Sequence, residues 1–525
     1  MEKNVKITRL AKPVQKGIGR LLFSRFFLIV LLLILQVALA VGVYLWVLYE
    51  VPELLYVQWI FTFVMIGFLF NSDMDSSPKL TWMLLIAVIP VVGAALLLFT
   101  QLNIGHRVET EDVKRQIKET RNSIRQSESV FERARLDGSG IDDLSTYLNK
   151  TGCFPVYDKT QVTYFSLGEH MFDAMIEELE KAQKFIFLEY FIIEEGYMWG
   201  AILDILERKA KEGVEVRAMY DGMCETSTLP YNYWELMEEH GIHAKSFSRL
   251  RPIVSSHYNY RDHRKVLVID GKVAFTGGVN LADEYINRIV KYGHWKDTAV
   301  MLKGNAVKSF TLMFLQMWNI KKENAAEDYE KWLSVPAEPV EEAAGYVMPY
   351  CDCPLDNYKA GEAVYMDILN RANSYVYIMT PYLILDGELE TSILFAAQRG
   401  VDVRLMLPGI PDKFVPYALA KSHYRRLYDG GVKIYEYTPG FVHSKIFVSD
   451  DIKAVVGTIN LDYRSLYHHF ECAAYMYGTD CIKDIKKDFD DTLLECREVT
   501  NEMIENEKLS YRAAGFLAKS IAPLM

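Results

Sequence analysis

The feature that most constrains this chain is an internal duplication. The stretch Asn259-Tyr260-Arg261-Asp262-His263-Arg264-Lys265-Val266-Leu267-Val268-Ile269-Asp270 contains the pattern H-x-K-x-x-x-x-D, and His443-Ser444-Lys445-Ile446-Phe447-Val448-Ser449-Asp450 repeats it. Each apolar, β-branched run reads as a short buried strand. Side chains alternate along a strand, so His263 and Lys265 share one face, as do His443 and Lys445. A buried imidazole beside a buried ammonium is costly unless an anion neutralises them, so the pattern points to phosphate. One such octapeptide would fit a satisfied core histidine; two with matching sequels do not. Gly278-Val279-Asn280 and Thr458-Ile459-Asn460 follow at the same offset, each delivering an amide, Asn280 or Asn460, to donate to a phosphate oxygen. Asp297 and Glu471 each lie roughly thirty residues past the histidine of their own half. A carboxylate that accepts the Nδ1 proton fixes the imidazole tautomer and leaves Nε2 free to attack or to protonate.

The duplication extends beyond the motifs. Glu169 to Ala182 has helical periodicity and precedes a strand over Lys184 to Ile193; Glu362 to Ala372 precedes Tyr375 to Leu385 in the same way. Trp199 to Lys211 with Gly213-Val214-Glu215-Val216-Arg217 matches Glu390 to Gln398 with Gly400-Val401-Asp402-Val403-Arg404. Helix, glycine stop and strand in alternation predict an α/β fold with a mostly parallel sheet in each of two repeats, residues 161–322 and 351–525. Residues 323–350, rich in Glu, Ala and Pro, read as the connection between them.

These residues resemble the phospholipase D superfamily, whose signature is the HKD motif. The flanking NYRDHRKVLVIDG, FTGGVNLADEY, PGFVHSKIFV and GTINLDYRS are similar to bacterial cardiolipin synthases. The resemblance covers the chain from about Tyr164 onward. It departs at Ile459, where the family usually has Ala, and at His469, where it often has Asn. The resemblance implies two α/β repeats packed around one shared active site. It implies His263 as nucleophile, forming a phosphohistidine, and His443 as acid and base, with Lys265, Lys445, Asn280 and Asn460 on the phosphate. Asp297 and Glu471 would orient the imidazoles. Asp270 and Asp450 complete the motif, but at strand ends, off the histidine face, they look more structural. The implied reaction joins two phosphatidylglycerol molecules into cardiolipin and glycerol, with no metal and no cofactor. A hydrolase with water as acceptor, a phosphatidylserine synthase, a membrane-anchored nuclease and an inactive scaffold are the alternatives.

A net charge of −11 argues against a nucleic-acid partner, which would demand a basic face. The anion site must be local, and Lys245, Arg249, Arg251, Arg261, Arg264 and Lys265 cluster around the first motif. Seven cysteines without a C-x-x-C pair give neither a zinc pattern nor a disulfide framework and read as mostly buried thiols.

The region 1–106 reads as a membrane anchor with two to three transmembrane helices, at about 26–48, 54–70 and 80–100. This makes the chain a multi-pass cell-membrane protein with the lipid bilayer as its partner. The third run carries Pro90 and Gly93, tolerated in a membrane when neighbours satisfy the freed backbone; three spans are the first reading, and two spans plus one re-entrant or interfacial segment the competing one. Lys3, Lys6, Arg9, Lys12, Lys16 and Arg20 against Glu2 place the N-terminus in the cytoplasm. Three spans would then put the catalytic region outside and two would keep it inside. Residues 107–160 read as a juxtamembrane helical linker, in which Glu109 to about Leu136 has too few apolar residues for a core helix and Leu144 to Tyr157 leads into the soluble region. Leu509 to Met525 reads either as an amphipathic helix in the headgroup layer or as ordinary packing on the catalytic region.

Overall fold

The structure, a computed structural model, describes residues 6–11, 25–101, 107–137, 140–249, 260–322, 325–356 and 358–524. Arg251 and the start of the first motif segment lie outside them.

The first repeat contributes β1 (Thr160–Phe165), β2 (Phe185–Tyr190), β3 (Glu215–Asp221), β4 (His243–Phe247), β5 (Arg261–Asp262), β6 (Lys265–Ile269), β7 (Val273–Gly277), β8 (His294–Lys296) and β9 (Ala299–Gly304). The second contributes β10 (Tyr346–Asp352), β11 (Tyr375–Met379), β12 (Asp402–Pro408), β13 (Lys433–Tyr437), β14 (Gly440–Val442), β15 (Ile446–Ser449), β16 (Lys453–Gly457), β17 (His469–Tyr477) and β18 (Cys496–Glu498). The sheets run β1-β9-β7-β6-β2-β3-β4 and β10-β17-β16-β15-β11-β12-β13-β18, so the two repeats share one topology.

The expectation of a mostly parallel sheet needs correction. Along these two strand orders only β2-β3-β4 and β11-β12-β13 pair in parallel, and the other neighbours in the orders are antiparallel. The reason is local. β6 and β7, like β15 and β16, are separated by a three-residue turn with positive φ at Asp270, Gly271, Asp450 and Asp451, and a connection that short permits only a hairpin. The helix-strand alternation that suggested parallel pairing governs only the first half of each repeat.

Packing defines two further segments. Residues 107–160 are not a linker standing off the core. They form helices Arg107–Thr120, Glu128–Leu136 and Ile141–Gly152, whose Val113, Val130, Ala134, Leu144 and Leu148 join the same core as both sheets. Their polar residues are accommodated by specific partners. Gln116 donates to the Asn319 carbonyl at 3.2 Å and accepts from Tyr329 Oη at 2.6 Å, and Gln316 donates to Thr120 Oγ1 at 2.7 Å. The segment 323–350 likewise carries helix Ala326–Leu333, in which Asp328 receives both guanidinium nitrogens of buried Arg217 at 2.7 and 2.9 Å, and β10 begins at Tyr346 within it.

N-terminal to the repeats lie helices Arg25–Glu50, Leu54–Phe70, Ser76–Val88 and Pro90–Gln101. Taken over its described residues alone, no helix is long and apolar enough to cross a membrane. The third apolar run is two helices rather than one. Ile89 (φ −134°, ψ 76°) leaves helical geometry and Pro90 opens the next helix, the position where its missing N–H costs nothing. The fold-back is tight: a Cβ on Gly93 would sit 3.0 Å from Ile86 Cα.

Candidate active site

Each histidine stands where its repeat reaches across to the other. β5, just before His263, pairs with the start of β17 (Arg261 with His469, Asp262 with Phe470), and the His263 N–H donates to the Phe470 carbonyl at 2.9 Å. The counterpart is β14, just before His443, which pairs with β8 (Phe441 with Trp295, Val442 with Lys296), and the His443 N–H donates to the Lys296 carbonyl at 2.7 Å. The two crossings are equivalent, and they bring both motifs into one buried site.

They also exchange the carboxylates. His263 Nδ1 lies 2.8 and 3.0 Å from the two oxygens of Glu471, and His443 Nδ1 lies 2.6 Å from Asp297 Oδ2. The sequence reading named Asp297 and Glu471 as the orienting acids without pairing them; the structure gives each histidine the acid of the other half. Both carboxylates are fully buried. Glu471 is itself held by the Thr458 hydroxyl, while Asp297 Oδ1 accepts from the Thr298 N–H at 2.9 Å. In the first repeat the position of Thr458 is Gly278, where a Cβ would fall 2.0 Å from Asp297 Oδ1, so the residue type there decides whether the acid is donated to or merely given room. Thr458 went unrecognised in the sequence, although comparing the two repeats at that offset points to it.

Lys265 and Lys445 are buried beside the imidazoles. Each ammonium donates to the carbonyl of its own histidine, and Lys445 Nζ also lies 2.9 Å from His443 Nδ1. Burial pushes Lys265 down to about 8 and Lys445 down to about 7. Burial likewise holds His263 well below its ordinary value, with Lys265, Lys445 and His443 adding to the effect, and burial together with Lys445 brings His443 to about 4. Burial alone would raise Asp297, but His443 and Lys445 outweigh it and keep it ionised. These groups hold their protons less tightly than they would in water. An anion placed here would offset the mutual repulsion of these cations and favour their protonated forms.

Of the remaining anticipated residues, Asn280 lies beside the second histidine: its Oδ1 accepts from the Ile192 N–H at 3.0 Å and its amide donates to Tyr285 Oη at 2.9 Å, and the Tyr285 ring is 5.4 Å from that of His443. Asn460 is buried with Oδ1 unpartnered. Asp270 and Asp450 lie roughly 16 Å along the strands from the lysines. Asp270 accepts from the N–H groups of Gln183, Lys184 and Phe185 at 2.6 to 2.9 Å, and Asp450 from those of Asn373, Ser374 and Tyr375 at 2.8 to 2.9 Å. Grouped with the catalytic motif by pattern, they instead pin the start of the neighbouring strand in each repeat. Ile459 faces the core, as Val279 does: each packs against a helix glycine, Gly361 and Gly168 respectively.

The basic cluster around the first motif is mostly absorbed elsewhere. Arg261 pairs with Asp221 at 3.2 Å, Arg264 lies 3.8 Å from Glu189, and Lys245 donates to the Trp318 carbonyl at 2.6 Å. Lys265 and Lys445 remain as the buried cations beside the imidazoles. Aromatic walls complete the site: Phe191 stands edge-on to His263 at 4.8 Å between ring centroids, and Trp295 and Phe441 stand 5.4 and 5.9 Å from His443.

The family model described as "Cardiolipin synthase, PLD-like domain" matches residues 175–318 and 365–493, one segment in each repeat. The chain is 31% identical over 461 residues to a cardiolipin synthase of Alkalihalophilus pseudofirmus, covering 87% of this chain and 91% of that one. It is 55% identical over 458 residues to an uncharacterized protein of Streptococcus mutans, covering 87% and 99%. Among solved structures, phosphatidylserine synthase from Haemophilus influenzae superposes with a TM-score of 0.53 at 16% identity, over 69% of this chain and 93% of that one, which speaks to the fold. With two matching repeats, an intact pair of motifs and relatives of this similarity along most of its length, the chain belongs to the phospholipase D-like cardiolipin synthase family of phosphatidyltransferases.

Proposed function

We propose that the protein makes cardiolipin from two phosphatidylglycerol molecules through a phosphatidyl group held on His263. The observation that carries this reading is the crossed arrangement of two histidines, each oriented by a carboxylate of the other repeat, around two buried lysines. A phosphodiester resists attack until its oxygens are neutralised, which Lys265 and Lys445 do. His263, its Nδ1 proton engaged by Glu471, attacks phosphorus through Nε2 while the P–O bond to glycerol breaks. The departing oxygen takes a proton from His443, which the arriving phosphate has helped to protonate. The free hydroxyl of a second phosphatidylglycerol then gives its proton to His443 and attacks phosphorus, and the P–N bond breaks. One phosphodiester is exchanged for another, so no nucleotide is consumed. Assignment of the nucleophile follows the family resemblance, since the two halves are symmetric. Rapid alkaline quenching during turnover, followed by peptide mass spectrometry, is expected to find the phosphatidyl adduct on the peptide bearing His263. An adduct on the His443 peptide would reverse the roles, and cardiolipin formed with no adduct would overturn the covalent route.

The same reading places the enzyme in a bilayer with two crossings and a re-entrant hairpin, and its catalytic repeats in the cytoplasm. Helix Arg25–Glu50, 26 residues and almost wholly apolar in sequence, is about 39 Å long, and Leu54–Phe70, at about 26 Å, meets the lower length limit for a span of roughly 17 residues. Ser76–Val88 and Pro90–Gln101 are each about 20 Å or less, too short to cross a hydrocarbon core of about 30 Å. The entry to that pair is tied to the second repeat by Asp75 with Lys359 at 2.7 Å and Thr81 with the Ser520 carbonyl at 3.0 Å. Its exit leads into Arg107–Thr120, packed on the repeats, so it leaves on the side it entered. The segment preceding the first long helix also sits on the first repeat. The Thr8 N–H donates to the Gly200 carbonyl at 3.0 Å, the Thr8 hydroxyl to Asp204 at 3.0 Å and the Leu10 N–H to Glu195 at 3.3 Å. A basic N-terminus and a catalytic region in mutual contact share one side. The C-terminal helix Leu509–Lys519 lies along helix Phe414–Asp429 yet exposes Leu509, Phe516 and Leu517, as an interfacial helix does. A fluorescent-protein fusion after Met525 should glow and an alkaline phosphatase fusion there should be inactive, whereas phosphatase inserted at Val51-Pro52 should be active. Active phosphatase at the C-terminus would refute this topology.

A further inference from the structure

The mechanism leaves one residue of the buried centre unused. His469 precedes Phe470-Glu471 on β17, and period-two alternation puts its side chain on the same face as that of Glu471. It is 7% exposed, and neither ring nitrogen has a hydrogen-bond partner. Leaving a buried polar group unsatisfied costs about 1–3 kcal/mol, so both ring nitrogens are open to a further partner. Its Nδ1 lies 3.7 Å from Glu471 Oε1, and its ring centroid lies 5.3 Å from that of His263. One donor atom from each of His263, His469 and Glu471 falls within 4.8 Å of the others.

We propose that His263, His469 and Glu471 form a binding site for a borderline divalent metal ion of the Zn²⁺ class, and that occupancy switches the enzyme off. Two neutral imidazoles and a carboxylate are a donor set that such ions take with a fourth, exchangeable position. In tetrahedral coordination at Zn–N and Zn–O lengths near 2.1 Å, neighbouring donors stand about 3.4 Å apart. The observed 2.8 Å between His263 Nδ1 and Glu471 and 3.7 Å between His469 and Glu471 bracket that spacing, so small side-chain rotations suffice. A metal there replaces the proton that His263 shares with Glu471. It draws off the carboxylate that orients the nucleophile, and the transferase stops. The ammonium groups of Lys265 and Lys445 oppose the cation, which makes the site weaker than a structural zinc centre and therefore reversible. An asparagine at position 469 offers no comparable ligand, which ties the property to this chain's histidine.

The test reads binding first, independently of any catalytic assignment. Full-length protein in detergent micelles is titrated with Zn²⁺ by calorimetry, and with Co²⁺ by visible absorption, which is intense only in tetrahedral coordination. One ion per chain with a tetrahedral Co²⁺ spectrum is expected in the wild type. In His469→Asn that spectrum should vanish and affinity should fall by more than about 100-fold, beyond the 10–100-fold cost of losing an outer-shell partner. Glu471→Gln, which retains both imidazoles, should also lose the spectrum, and thermal unfolding checks that both variants are folded. Zn²⁺ should inhibit transfer by the wild type, a chelator should restore it, and activity remaining in His469→Asn should resist the metal. An unchanged Co²⁺ spectrum in folded His469→Asn, or no stoichiometric binding by the wild type, would overturn the proposal.

Discussion

Replacing either His263 or His443 by alanine is expected to reduce phosphatidyl transfer by at least about 10⁴-fold, the scale seen when a nucleophile or its proton-transfer partner is removed from a site that acts as a unit. The two losses should not add, because the double variant has no further covalent step to lose. Rates measured on purified, folded protein decide this, with thermal unfolding recorded alongside. The check matters because His263→Ala leaves Glu471 buried without its imidazole partner, and an uncompensated buried charge destabilises by about 3–5 kcal/mol. A variant that stays folded yet retains a tenth of wild-type activity would remove its histidine from the chemistry.

The second large effect follows from the exchange of carboxylates. Asp297→Asn and Glu471→Gln preserve shape but remove the charge that fixes the Nδ1–H tautomer, and each is expected to slow transfer by about 10³- to 10⁴-fold, the cost of the equivalent change in a hydrolase triad. The informative readout is which histidine feels the change. Histidine-selective ¹⁵N spectra, assigned through the two alanine variants, should show Asp297→Asn altering the tautomer of His443 and leaving His263 as it was. Glu471→Gln should do the reverse. An effect confined to the histidine of the same repeat would mean that the 2.6 Å and 2.8 Å contacts across the repeats are not the working arrangement.

Much of this centre was legible in the sequence because it is written in short-range pattern. A strand's two-residue period puts His263 with Lys265 and His443 with Lys445, and duplication separates these from chance core histidines. Which acid serves which imidazole was not legible. Asp297 and Glu471 sit at similar offsets within their halves, and only the pairing of β5 with β17 and of β14 with β8 carries each across. The sheets were misjudged for a related reason. Glycine stops after helices predict β2-β3-β4 correctly, but the hairpins that follow are set by positive φ at Asp270 and Asp450, residues the sequence marked as structural without showing the turn they make. Glu109 to Leu136 looked too polar for a core because Gln116 and Thr120 find their partners, Asn319, Tyr329 and Gln316, only after folding. The basic cluster misled similarly: Arg261 and Arg264 meet Asp221 and Glu189, acids contributed by strands far from them in sequence.

The most direct test of the central claim, a single phosphatidyl-transfer site built from both repeats, is the lipid product analysis of purified protein in phosphatidylglycerol micelles. Wild type should release cardiolipin and glycerol in equal amounts, and neither His263→Ala nor His443→Ala should release either above background. Phosphatidic acid in place of cardiolipin would make the enzyme a hydrolase, and cardiolipin produced by either variant would contradict the shared two-histidine site.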